Sequence, residues 1–382
     1  MKRKFLITIG IILGVLILLL ILIWPAAPLW ARLGAEPVCI RGSWPHLQLV
    51  KCSSQASVSS GVTPRPLPPL NGTDPVPVIV DDDGSPDGTI ALLYFLRNPN
   101  FEVRAVTVSC GEAHPEIFAS HLMRLLAGLG RADIPVGVGS AAPLEGKNAF
   151  PDPWRQVSDD FWGITYPQAP VLLEPAPAAE LIVETIHNSP RPVMVFVSGT
   201  HTNLAEALRL DPDIVENIRE VQIMGGSIHV PGNIKSDWPE IDNTVAEWNI
   251  WGDPVAADEV FTSRLPLGLI PLDATSQVTW TRSDALYWAA SETPEGILAG
   301  NLLQWMLDSW SVESAYIWDL VAAVHATDPA LCPEVPLSVD ILTSPGPNQG
   351  QTVVTDQLPN VSVCLDPDPE QMRALVATVL GR

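Results

Sequence analysis

Basic side chains are scarce in this chain of 382 residues: 21 Lys and Arg stand against 43 Asp and Glu, a formal net charge of −22. No basic patch interrupts the excess. That balance argues against nucleic-acid polymers and anionic membrane surfaces as partners, and favours neutral or cationic ligands and metal ions. Cysteine is sparse too, five in all and never as Cys-x-x-Cys, which removes the usual thiolate zinc site. No internal repeat occurs and no composition break follows Pro75, so residues 76–382 read as one large domain. An apolar fraction of 47% is ample for its core.

Charge is missing altogether between Phe5 and Trp24, 20 apolar residues preceded by Lys2, Arg3 and Lys4. Such a run is long enough to cross a bilayer as a helix and longer than the apolar part of a cleavable signal. A buried core helix would carry a polar stripe, and this segment has none. Only Arg32 follows closely, so residues 1–4 are expected as a cytoplasmic tip and 5–24 as a transmembrane signal anchor. The soluble part then lies outside the cytoplasm, at a cell surface or in a periplasm; cleavage after Ala31 to Ala35 stays open. Residues 25–75 read as a stalk, since Ser53 to Pro75 is too rich in Ser, Gly and Pro to fold alone. Cys39 and Cys52, then Cys332 and Cys364, bracket short segments and suit disulfides in that compartment, with the pairing open. Cys110 ends an apolar strand and reads as a small buried residue.

Carboxylates, by contrast, crowd one place. From Pro75 to Leu93 a short valine-rich run ends in Asp81, Asp82 and Asp83, followed by a Gly-Ser-Pro turn, Asp87, and apolar residues at helical spacing. The pattern predicts strand, loop, helix. Like charges repel and ionised carboxylates are costly to desolvate, so four of them at one strand end call for a compensating partner such as a divalent cation. In an open α/β sheet, ligands also sit at the carboxyl ends of the strands. The competing reading makes Asp81 to Asp83 solvated turn residues and Asp87 a helix cap.

Further on, short apolar runs at Val78–Val80, Val103–Ser109, Pro135–Val138, Val193–Val197, Val221–Met224 and Leu267–Ile270 predict strands. They alternate with expected helices over 89–97, 115–129, 177–188, 204–210 and 254–262, with more helix inside 302–326. Thr202 or Asn203 is expected to cap the helix from Leu204. The alternation predicts an α/β fold, a mostly parallel doubly wound sheet with helices on both faces.

Several motifs recur in a fixed order: Val80-Asp-Asp-Asp-Gly-Ser-Pro-Asp-Gly88, Val106 to Glu112, Asp133 to Leu144, Gly199-Thr-His-Thr-Asn-Leu-Ala205, Met224-Gly-Gly226, Pro231-Gly-Asn233, Ala246-Glu-Trp-Asn-Ile250 with Asp253-Pro254, Trp318-Asp-Leu320, and Asp328-Pro329. Together they resemble the inosine-uridine preferring nucleoside hydrolase family over about residues 76–382. The resemblance implies cleavage of the N-glycosidic bond of a ribonucleoside or related riboside by a metal-activated water, giving ribose and free base. That chemistry accounts for the acids, because the bond breaks through an oxocarbenium-like sugar that negative charge stabilises. Calcium takes oxygen ligands and can hold both the water and the ribose hydroxyls.

By the same resemblance Asp83 is a calcium ligand and the base toward the water, and Asp319 and the backbone carbonyl of Thr202 are further ligands. Asp87 accepts from a ribose hydroxyl; Asn233, Glu247 and Asn249 bind sugar hydroxyls; Met224 lines the site, and Asp81 steadies the loop. The partner is a small-molecule nucleoside, and homo-oligomers are common in the family. Taken singly, Glu247 and Asn249 would be surface polar residues and Met224 core. Asp319 sits in a nearly apolar helix, where an unpaired carboxylate is expensive. His201 and His229 are expected to order loops.

Three positions depart from the family pattern. Gly88 replaces its last aspartate, Glu112 a substrate-contacting asparagine, and Trp318 the histidine that protonates the leaving base. The first two are expected to be linked, with Glu112 restoring as a metal ligand the charge that Gly88 lacks. Trp318 cannot release a proton but can stack on an aromatic base, which predicts a slower hydrolase or one preferring good leaving groups. Two further readings remain: a nucleoside- or sugar-binding protein on the same scaffold, and a haloacid-dehalogenase-type phosphatase built on Asp81-Asp82-Asp83-Gly84-Ser85.

Overall fold

The computed structural model describes residues 38–41, 48–51, 74–171 and 174–381. The expected anchor over 5–24 and most of the stalk lie outside them. Among the described residues no helix is long and apolar enough to cross a membrane. Strands β1 (Val38–Arg41) and β2 (Gln48–Lys51) form an antiparallel hairpin in a unit of its own. Cys39 lies in β1, and its candidate partner Cys52 is outside the described residues.

In the large unit strands and helices alternate from β3 (Val76–Asp82) through α1 (Pro86–Arg97), β4 (Phe101–Val108), α2 (Pro115–Gly128), β5 (Val136–Val138), α3 (Asp152–Asp159), β6 (Ala176–Pro177) and α4 (Ala178–Asn188). The order continues with β7 (Val193–Ser198), α5 (Thr202–Leu210), β8 (Ile218–Met224), α6 (Pro254–Phe261), β9 (Leu267–Ile270), β10 (Thr279–Thr281), α7 (Arg282–Ala289), α8 (Pro294–Ser309), β11 (Ser314–Tyr316) and α9 (Trp318–Thr327). It closes with β12 (Glu334–Ile341), β13 (Thr352–Thr355), β14 (Val361–Cys364) and α10 (Pro369–Leu380). Ten strands build one sheet in the order β13-β12-β14-β9-β8-β7-β3-β4-β5-β6, parallel from β14 to β6 and antiparallel at the β12 and β13 edge. The expected doubly wound, mostly parallel sheet is therefore present.

The pleat divides the core in two. Successive strand residues face opposite sides, and in β3 Val78 and Val80 pack with α1, α2, α8, α9 and α10, while Ile79 packs with α4, α5 and α6. Each such side chain, fully buried, stabilises the fold by about 1.5–3 kcal/mol. The same alternation carries on into the acidic run, so neighbouring aspartates leave the strand on different faces.

Two local readings need correction. Helix α1 begins at Pro86 and is capped by Ser85, whose Oγ accepts from Gly88 N at 2.9 Å, so Asp87 is not its cap. Helix α5 begins at Thr202 after His201, with no side-chain cap; Thr202 and Asn203 make longer-range bonds instead. Residues 302–326 hold the end of α8 and most of α9 with β11 between them. Cys332 and Cys364 form a disulfide at the antiparallel edge, and Cys110 is free and buried.

Candidate active site

Strand β3 is the turning point of the sheet: α1 leads from it to β4 on one side, and β7 pairs along its other side. At such a reversal the connections diverge and leave a crevice beyond the strand ends. A cavity of about 810 Å³ opens there. It is lined by six carboxyl groups, those of Asp83, Asp87, Glu112, Asp237, Glu247 and Asp319. No Lys, Arg or His lines it among the described residues.

The acidic run is buried, not solvated. Asp81 lies beneath α5, where Thr107 Oγ1 donates to its Oδ1 at 2.6 Å and Asn203 Nδ2 at 2.7 Å. Burial nonetheless pushes its pKa up to about 7, against those two bonds. Asp82 turns to the other face, accepting from Gly84 N at 2.8 Å and Ser198 Oγ at 3.0 Å; burial pushes it up to about 7 as well. Gly84 makes this turn at φ +87°, and a Cβ there would lie 2.4 Å from Ala113 Cβ, so only glycine fits.

Asp83 is 2% exposed and points into the cavity between two glycines. A Cβ on Gly111 would come within 2.1 Å of its Oδ2, and one on Gly199 within 2.7 Å of its Cβ. Glu112 N donates to Asp83 Oδ2 at 3.3 Å, while Ser158 Oγ donates to Glu112 Oε1 at 3.4 Å. Asp87 Oδ2 accepts from Asp319 N at 3.4 Å, and Ser85 Oγ donates to Asp319 Oδ2 at 3.1 Å. Burial first, and then the charges of the neighbouring carboxylates, hold Asp83, Glu112 and Asp319 well above the usual carboxylate range. None of these acids pairs with a cationic side chain among the described residues.

A buried all-oxygen donor set without a counter-charge has the chemistry of a hard-cation site. Its oxygens are not drawn to one centre, however: among the described residues no three His, Cys, Asp or Glu groups form an assembled metal cluster.

The opposite wall comes from the turn after β8. Glu247 accepts from Gly226 N at 2.9 Å, Asn249 N at 2.9 Å and Ile250 N at 3.2 Å, capping the short helix Trp248–Gly252. Burial raises its carboxyl to about 7 against these three donors. Asn249 Nδ2 donates to Met224 O at 3.1 Å, and both residues line the cavity. Half-buried Asn233 lines it too, with its Oδ1 unpartnered. Trp318 sends its indole N–H to Ser276 Oγ at 3.2 Å and stacks on Tyr316 with ring centres 5.8 Å apart.

The cavity thus gathers Asp83, Asp87, Glu112, Met224, Asn233, Glu247, Asn249, Trp318 and Asp319. Thr202 is the exception: it does not line the cavity, and its Oγ1 donates to Asp253 Oδ2 at 2.7 Å. Neither His201 nor His229 lines it. His201 is fully enclosed with both ring nitrogens unpartnered, and burial lowers its pKa to about 4, leaving it neutral.

Sequence reasoning missed the aromatic half of the chamber: Phe150, Trp154, Trp162, Trp248, Trp305 and Trp310. Trp154 and Trp248 pack at 5.0 Å and Trp305 and Trp310 at 6.5 Å. Phe161 and Trp162 hold left-handed backbone, φ 49° and 54°, a strained conformation that bulky residues keep only where packing enforces it. The available signal was compositional, 13 Trp against 4 Tyr.

Residues 78–374 match the family model described as Inosine-uridine preferring nucleoside hydrolase. The chain is 31% identical over 322 residues to a protein named Pyrimidine-specific ribonucleoside hydrolase RihA from Citrobacter koseri, covering 80% of this chain and 98% of that one. A protein of the same name from Escherichia coli is 30% identical over 318 residues, covering 79% and 97%. Among solved structures, a plant nucleoside hydrolase (the PpNRh1 enzyme) superposes with a TM-score of 0.71 at 25% identity, over 81% of this chain and all of that one. The purine-preferring ribonucleoside hydrolase from Gardnerella vaginalis shares the fold, with a TM-score of 0.69 at 23% identity over 79% and 99%.

Proposed function

The chain belongs to the inosine-uridine preferring nucleoside hydrolase family, and from that premise we propose that Asp83, Asp319 and Glu112 would hold a calcium ion at the floor of the cavity. The enzyme hydrolyses the N-glycosidic bond of a ribonucleoside, giving ribose and free base. The observation carrying the reading is the convergence of Asp83, Asp87 and Asp319 in one cavity at the reversal of the sheet, although the first and last are 236 residues apart in sequence.

When bound, calcium supplies a Lewis-acidic centre that lowers the pKa of water and accepts the vicinal hydroxyls of ribose. Asp83 takes the proton of the attacking water, and its place between Gly111 and Gly199 fixes the direction from which it acts. Asp87 accepts a hydrogen bond from a ribose hydroxyl. Asn233, through its unpartnered Oδ1, and Asn249 and Glu247 engage the remaining hydroxyls. The acidic floor stabilises the positive charge that develops on the sugar as the bond breaks.

The base leaves into the aromatic half, stacking against Trp318 and its neighbours. Trp318 has no proton to give, so departure depends on stacking and on the base's own leaving ability. We propose ribosides with good leaving groups as the preferred substrates. Family membership sets aside the phosphatase reading.

We propose a place outside the cytosol for the catalytic unit, which the uncharged apolar run at 5–24 in the sequence and the Cys332–Cys364 disulfide support. The test incubates the full chain with a nucleoside panel in calcium or in a chelator and measures reducing sugar. Ribose release that calcium supports and Asp83→Asn abolishes is the expected result; tight nucleoside binding with no ribose release would leave the binding-protein reading instead.

A further inference from the structure

Gly88 is the one position in the acidic motif at which a carboxylate is missing, and the space above it is already filled. A Cβ built on Gly88 would fall 1.6 Å from Asp82 Oδ2, 2.5 Å from Asp82 Cγ and 2.8 Å from Ser85 Oγ. The atoms nearest that point belong to Asp82 and Ser85, and none to Glu112. An aspartate at 88 and the carboxylate of Asp82 therefore exclude one another as placed.

We propose that Asp82 is a ligand of the cation named above, taking the place of the side chain that Gly88 lacks; the inference rests on the calcium reading. The strand pleat explains how it can. Asp81 and Asp82 leave β3 on opposite faces, Asp81 toward Asn203 at the start of α5 and Asp82 toward the first turn of α1. Asp82 is 3% exposed and sits behind Ser85 and Ser198, both of which line the cavity. Gly84 N and Ser198 Oγ fix its two oxygens.

A buried carboxylate without a cationic partner is costly, and a shared divalent ion removes that cost. Glu112 is engaged by Ser158 at 3.4 Å and is not among the atoms nearest the Cβ position of Gly88, so it would hold the ion beside Asp82 and not in place of the missing side chain.

Calcium titration calorimetry on the full chain tests the exchange. Asp82→Asn, which keeps shape and hydrogen bonding, should weaken calcium binding about 10- to 100-fold, while Glu112→Gln changes it less. The paired variant Asp82→Ser with Gly88→Asp should recover affinity to within about threefold of wild type if one carboxylate replaces the other. Circular dichroism of each calcium-free variant reports folding independently, and a misfolded Asp82→Asn leaves the paired variant to decide. Undiminished binding in Asp82→Asn, or no recovery in a folded paired variant, overturns the inference. A wild-type chain that binds no calcium overturns the calcium reading itself, and the inference with it.

Discussion

Ser85 Oγ donates to Asp319 Oδ2 at 3.1 Å, joining the first and last acidic motifs across 234 residues of sequence. The same oxygen accepts from Gly88 N at 2.9 Å, so one hydroxyl both caps α1 and aims the carboxylate of α9. Ser85→Ala should lower the unfolding free energy of the calcium-free protein by about 0.5–2 kcal/mol, the usual cost of a lost cap. Urea denaturation measures it. Calcium affinity should fall as well, because Asp319 loses its fixed orientation; a change in stability alone would mean that the Asp319 contact is idle.

On the reading proposed above, Trp318 stands where a proton donor would serve the leaving base. Trp318→His should raise inosine turnover by about 10- to 100-fold, at the lower end of what general acid catalysis supplies. It should also introduce a fall in activity as pH rises past about 6.5, where imidazole loses its proton. The comparison of pH–rate profiles decides this: an unchanged profile would show that base departure needs no donor at this position.

The frame of the site was legible because its signals are local. A valine run ending in aspartates marks a strand end, and leucines at helical spacing mark α1. What the sequence hid was direction. In Asp81-Asp82-Asp83 three identical residues leave the strand differently, and only the pleat tells which faces Asn203 and which faces Gly88. The aromatic wall was illegible for another reason: Phe150, Trp154, Trp248 and Trp310 come from loops, a two-turn helix, a short turn and a helix end, where no periodicity reports which side chains face one another.

His325 offers a pH test outside the acid-lined cavity, with Glu334 Oε1 3.9 Å from its Nε2. It is fully buried, its Nδ1 meets Gln222 Nε2 at 2.9 Å and its Nε2 meets Cys332 O at 3.2 Å, so the tautomer with the proton on Nε2 satisfies both. Burial lowers its pKa to about 4. Between that value and the ordinary 6.5 the unfolded chain binds a proton that the folded chain refuses. This contribution to stability is therefore complete above pH 6.5 and lost as pH falls toward 4, with a slope of up to about 1.4 kcal/mol per unit. The buried carboxylates act oppositely: Asp81 and Glu247, raised to about 7, lose their contribution as pH rises through that value. Urea midpoints of wild type and His325→Gln between pH 7 and 4.5 separate the two, and the variant should show the weaker acid loss.

The disulfide between Cys332 and Cys364 closes a loop of 32 residues. Chain-entropy arguments give such a link about 3–4 kcal/mol. Thermal unfolding with and without reductant should show a lower midpoint in the reduced chain, and a Cys332→Ala, Cys364→Ala double variant should match the reduced wild type and ignore the reductant. Equal midpoints in all four samples would mean that the antiparallel edge holds without the bond.

A chamber with six carboxyl groups and, among the described residues, no Lys, Arg or His in its lining has a metabolic consequence. A nucleotide would carry nearly two negative charges on its 5′-phosphate into that field and meet no cationic side chain in the lining described. Such molecules become visible to this enzyme only once a phosphomonoesterase has stripped them, and the pentose it releases must be re-phosphorylated by a kinase before sugar catabolism can use it.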